Sequence, residues 1–100
     1  AFRILRPAVN EVMDAAPSST IEGEVRQTAK DVAGVISLEK GSVRKMGFSY
    51  YVDLHVTVSG QISVREGHDI ARNVKTAILA AHPMVADVLI HIEPSDLLIE

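Results

Sequence analysis

Two short patterns carry the chemistry of this chain: Asp53 with His55, and His91 with Glu93. Side chains two apart on an extended strand leave the same face, so each pair sets an imidazole beside a carboxylate. If the two strands are neighbours, four nitrogen and oxygen donors converge on one patch. That donor set suits zinc first, and iron(II), manganese, cobalt, nickel or cadmium as well, with geometry and supply deciding among them. His68, in the first turns of a helix, could reach the sheet edge from its own or a neighbouring copy. The chain has no Cys, which excludes disulfides and thiolate sites and with them copper(I).

Plainer readings stand beside these. A single His at an outward strand position is usually a solvated side chain, and only the doubled spacing lifts these above that. His82, next to Pro83, reads as a partner for the negative end of a helix dipole. Arg44 and Lys45 read as a solubilising turn, with contact to lipid headgroups as the weaker alternative. His55, His91 and Glu93 could be drawn as a general base, yet no nucleophile stands beside them, and there is no Gly-rich phosphate loop or nucleophile elbow. The expectation is that the chain is not an enzyme.

The elements that must position these residues are legible from periodicity. Phe48, Tyr50, Val52, Leu54, Val56 and Val58 alternate with Ser49, Tyr51, Asp53, His55 and Thr57, the pattern of a strand with one buried and one wetter face. Ser63 and Glu66 form a capping box opening a helix whose stripe is Gly67, Ile70, Ala71, Val74, Ala77, Ile78 and Ala81, ended by His82 and Pro83. A last strand is expected over residues 84–93, with Met84, Ala86, Val88, Ile90 and Ile92 on one face and Asp87, Leu89, His91 and Glu93 on the other. Upstream, Ser19 and Glu22 suggest a second capping box, opening a helix that ends at Gly34. A short strand follows over 35–40, then a basic turn over 41–47. Before all of these, residues 1–16 read as an amphipathic helix interrupted at Pro7. The predicted fold is α+β: α-β-β-α-β with a three-stranded mixed sheet and helices on one face, an open sandwich of the ferredoxin-like kind.

Composition narrows the function classes. One hundred residues make one small core, and 47% apolar content with four aromatics and no Trp makes it aliphatic. A net charge of -3 gives no basic face for nucleic acid. No apolar run approaches the roughly 20 residues of a membrane helix, and no signal peptide opens the chain, so a soluble domain is expected. The start without Met reads as a piece of a longer protein whose upstream part would carry apolar spans.

Four segments resemble, in order and spacing, the C-terminal domain of cation diffusion facilitators, which move divalent metals out across membranes: Val32-Ala33-Gly34-Val35, Tyr51-Val52-Asp53-Leu54-His55-Val56, Ser63-Val64-Arg65-Glu66-Gly67-His68-Asp69-Ile70-Ala71, and Val88-Leu89-Ile90-His91-Ile92-Glu93-Pro94. The likeness covers residues 20–94, and residues 4–17 resemble more loosely the linker after the last membrane helix of that family. It implies a metallochaperone-like domain on the cytoplasmic face of a membrane, a homodimer below the membrane domain of the same transporter, which exchanges metal for protons. It divides the chain into a linker helix (1–17), a metal-binding dimerisation domain (18–94) and a tail (95–100). By position, His55, His68 and His91 match family ligands, Asp53 matches a carboxylate used in some members, and Glu93 stands where an Asp is common. Ile36 replaces a His of some zinc exporters, which argues for a subunit-bridging site over a full binuclear one.

The mechanism implied is selection: a cation bridging two copies favours the closed pair by its higher affinity for it. Ligand imidazoles must be neutral, so affinity should fall below about pH 6.5, the reference range for His. The competing expectation is a free-standing ferredoxin-like sensing or dimerisation module that uses no metal.

Overall fold

The structure, a computed structural model, describes residues 17–95. The expected linker helix over 1–16 and the last five residues of the tail lie outside the described residues. The elements in order are α1 (Pro17–Lys30), β1 (Ser37–Met46), β2 (Ser49–Val58), α2 (Val64–Ala81) and β3 (Val85–Pro94). The α-β-β-α-β order is as expected, and so is the three-stranded mixed sheet. Its order is β1-β2-β3, with β1 antiparallel and β3 parallel to the central strand.

β2 is buried on the face its alternation predicts. Tyr50, Val52, Leu54, Val56 and Val58 are all buried and pack with Val43 of β1, Val85 and Val88 of β3, and Val25, Ala29, Val74 and Ile78 of the two helices. This aliphatic layer between helices and sheet is the core, and its burial is the main stabilising force. Both helices therefore lie on one face, and the opposite face of the sheet carries Asp53, His55 and His91.

α2 opens as its sequence requires. The Ser63 hydroxyl accepts from the Glu66 amide at 3.0 Å, and the Ser63 amide donates to Glu66 Oε1 at 2.8 Å, so two otherwise orphaned amides are satisfied reciprocally. Gly67, Val74 and Ile78 are its buried positions. At the other end the His82 amide closes the helix on the Ile78 carbonyl at 2.9 Å.

Several boundaries differ from expectation, each for a local reason. α1 begins at Pro17, not after a cap at Ser19, because proline is tolerated in the first turn, where its missing N–H has no helical partner. It ends at Lys30 rather than Gly34. The Asp31 amide still reaches the Gln27 and Thr28 carbonyls, and Val32 reaches Ala29, a tightened last turn. β1 extends through Met46, so the basic stretch read as a turn is mostly strand. Val43 is its one buried position, and an edge strand rich in charge shows no alternation to read. Phe48 is not a core residue: it is 98% exposed in the hairpin turn. In β3, Tyr50 pairs with Val85 but Tyr51 with Asp87, leaving Ala86 as an extra residue. That bulge puts Val85 in the core and leaves Met84 and Ala86 exposed, against the expected parity.

Candidate metal site

The helix-free face of the sheet brings the two sequence pairs together. His55 and His91 are directly opposite across the parallel β2–β3 pair, Asp53 is opposite Leu89, and Glu93 is opposite Thr57. The carboxylates thus flank the imidazoles diagonally. Neighbouring strands run about 4.8 Å apart, and the two rings stack with centroids 4.4 Å apart and planes 20° from parallel. One ligand atom from each of Asp53, His55 and His91 lies within 4.8 Å of the others. All three face solvent in part, so an ion can reach them.

Glu93 has a different place. Its Oε2 is 2.6 Å from His55 Nδ1, a charge-assisted contact in which the imidazole N–H donates to the carboxylate. That bond assigns the proton to Nδ1 and leaves the Nε2 lone pair free, as second-shell carboxylates do for metal-binding histidines.

Asp53 and His91 meet without satisfying each other. Asp53 Oδ1 is 3.2 Å from His91 Nε2, within ion-pair distance, yet this covered oxygen has no hydrogen-bond partner. A covered acceptor left unpaired is costly, and a cation placed between carboxylate oxygen and imidazole nitrogen would satisfy both. The donor set of two imidazoles and a carboxylate therefore fits a divalent transition ion. With neutral imidazoles, Asp53 and Glu93 leave the patch negative.

The edge strand supplies a wall that the sequence did not announce. Between Leu38 and Gly41 the β1–β2 register shifts, and Lys40, Gly41 and Ser42 line a hollow of about 230 Å³ with Asp53 and His55. Arg26 of α1 holds the bulge, with Nη2 3.5 Å from the Leu38 carbonyl and 3.3 Å from that of Glu39. Gly41 is required by space: a Cβ there would lie 2.5 Å from Leu54 Cδ2 and 3.0 Å from the Asp53 carbonyl oxygen. A glycine inside a strand is the signal that could have exposed this bulge. Beyond it, Thr57 on the site face is 3% exposed and its hydroxyl donates to Glu39 Oε2 at 3.4 Å.

His68 is not brought to this patch. It is exposed on α2 and lines a separate apolar hollow with Ile62, Val64, Ile90 and Ile92. His82 also stands apart, its Nε2 2.8 Å from Thr28 Oγ1, joining the end of α2 to α1.

Residues 17–95 match the family described as cation efflux protein, cytoplasmic domain, whose short name is ZT dimer. The chain belongs to this family. Metal tolerance protein 2 of Oryza sativa subsp. japonica is 36% identical over 85 residues, 85% of this chain and 22% of the relative. Metal tolerance protein C1 of Arabidopsis thaliana is 36% identical over 89 residues, 88% of this chain and 19% of the relative. The chain thus spans about a fifth of the length of these relatives. Among solved structures, a MamM C-terminal domain superposes with a TM-score of 0.74 at 18% identity, over 76% of this chain and 96% of that one. This likeness is one of fold, and it matches the metallochaperone-like architecture. As a cation efflux cytoplasmic domain, the chain is placed with the cation diffusion facilitators. Among its described residues no helix is long and apolar enough to cross a membrane.

Proposed function

We propose that this chain is the metal-sensing, dimerising domain of an efflux transporter that exchanges a divalent metal for protons, and that Asp53, His55 and His91 hold the regulatory ion. The observation that carries this reading is the convergence of those three donors, with a covered, unpaired Asp53 oxygen beside His91 Nε2. Glu93 orients His55 rather than binding the ion. His68 serves a separate site completed by a second copy. Zinc is the first candidate by donor type; solved MamM C-terminal domain variants described as nickel and cadmium forms have the same fold, and a Bacillus subtilis relative, 23% identical, is named a manganese efflux protein.

Three donors leave room in a tetrahedral or larger shell. The patch lies on the helix-free face, where Tyr51 and Leu89 are exposed at 37% and 57%, a surface on which a second copy can pack. The family's short name agrees with pairing. Two negative patches facing each other repel, and a cation between them removes the repulsion, so the ion selects the closed pair. Closure beneath the membrane domain is then the signal that assists transport.

The test is the melting temperature and the small-angle scattering profile of the domain with and without zinc. A ligand that prefers the folded, closed pair raises the first and contracts the second. No change in either leaves a metal-free dimerisation module.

A further inference from the structure

The hairpin joining β1 to β2 has a tip that none of this uses. Gly47 and Phe48 are its two loop residues, between the paired Met46 and Ser49. Gly47 has φ 67°, the positive φ that a tight two-residue hairpin places first. Phe48 follows it and is 98% exposed. A phenyl ring projecting fully into water at a rigid turn is not core spillover, because nothing in the fold requires it.

The surroundings of the tip are specific. Met46 and Met84 are 56% and 52% exposed, and Met84 is at the same end, since its carbonyl accepts from the Tyr50 amide at 2.9 Å. Arg44 and Lys45 leave opposite faces of β1, both exposed and neither in an ion pair among the described residues. The chain is acidic overall, yet the tip carries cations on both sides. Among the described residues the acids near this end are Asp87, paired with Lys75 at 3.4 Å, and Glu22 and Glu24 of α1, of which Glu24 lines a hollow with Ile21, Ala81, His82, Pro83 and Met84. That hollow also shows that α1 begins at this end.

We infer that the Met46-Gly47-Phe48 tip, flanked by Arg44 and Lys45, docks on an anionic lipid surface. An aromatic ring and thioethers at interfacial depth with guanidinium and ammonium groups beside them is the composition that lies on a headgroup layer. A protein partner would need a shaped surface around the ring, whereas Phe48 protrudes alone. One aromatic and two cations make a weak contact, but a cytoplasmic domain of an efflux protein is tethered to its membrane, and tethering raises the effective concentration. The tip would then fix the tilt of the domain against the bilayer.

The chain has no Trp, so Phe48→Trp supplies a sole indole reporter at a position that is 98% exposed. Its emission is followed with vesicles of phosphatidylcholine alone and of phosphatidylcholine with phosphatidylserine, each with and without acyl-chain bromination. The inference predicts a blue shift and bromine quenching of about twofold on the phosphatidylserine vesicles only, lost in Arg44→Glu/Lys45→Glu and reversed by high salt. No quenching at the highest lipid concentration, or equal quenching on the uncharged vesicles, would overturn it. A blue shift that grows with protein concentration without vesicles would also overturn it, by showing that a second copy covers the tip. None of these outcomes depends on whether the sheet face binds metal.

Discussion

His55 and His91 stack face to face across the parallel strands, centroids 4.4 Å apart, on the face of the sheet that no helix covers. Neutral imidazole is the form that binds metal, and the stack sets two such donors side by side. Glu93 completes the geometry by holding Nδ1 of His55 at 2.6 Å.

That contact gives a first prediction. Glu93→Ala should weaken zinc binding by about tenfold, the lower end of the range for second-shell carboxylates, because Glu93 is 44% exposed and water can replace it in part. Competition titration with a chromophoric chelator reads the change; an unchanged affinity would remove Glu93 from the site.

The bulge beside the site gives a second. Gly41→Ala forces a methyl against Leu54 Cδ2 and the Asp53 carbonyl, and overpacking of this kind costs about 1–3 kcal/mol. Leu54→Ala, at a fully buried position, should cost about 2–5 kcal/mol through lost burial and a cavity. Urea unfolding midpoints compare both with the wild type. A neutral Gly41→Ala would mean that the bulge relaxes freely.

A third concerns α2. Ser63→Ala removes the acceptor for the Glu66 amide and should cost about 1 kcal/mol. Ser63→Gly should cost only a few tenths. Equal losses for the two would argue against the capping hydrogen bond as the cause.

The acid side of the stability profile supplies a fourth. The Val88 amide at 2.9 Å, then Lys75, hold the Asp87 carboxyl below its ordinary value. A carboxylate whose folded pKa is lowered stabilises the fold above its unfolded pKa, and the contribution disappears as pH falls through the folded value. Asp87→Asn should therefore be less stable than wild type at neutral pH, with the gap closing in acid. Urea midpoints across that range test it, and a gap independent of pH would contradict the assignment.

How far the sequence could be read depended on the strength of local patterning. The alternation from Tyr50 to Val58 and the Ser63–Glu66 box identified the central strand and its following helix, because each side chain's role is written in its immediate neighbours. The first put Asp53 and His55 on the wetter face of that strand, and the alternation over 84–93 did the same for His91; that the two faces are one follows from the pairing of the strands. Bulges were not legible: those at Glu39–Lys40 and Ala86 exist because the partner strand imposes a register, and the Ala86 bulge reversed the expected parity of Met84, Ala86 and Val85. Edge strand β1 was half missed because only Val43 of its ten residues is buried. Phe48 matched the alternation by type, but the hairpin ended one residue later. Glu93's bond to Nδ1 of His55 depends on strand adjacency, which no single segment encodes.

The central claim is tested most directly by isothermal titration of zinc and manganese into the wild-type chain and His55→Ala/His91→Ala. The account predicts zinc binding to the wild type, weakening as acid protonates the imidazoles, and loss of at least one ion per chain in the double variant. Identical isotherms for the two proteins would contradict it.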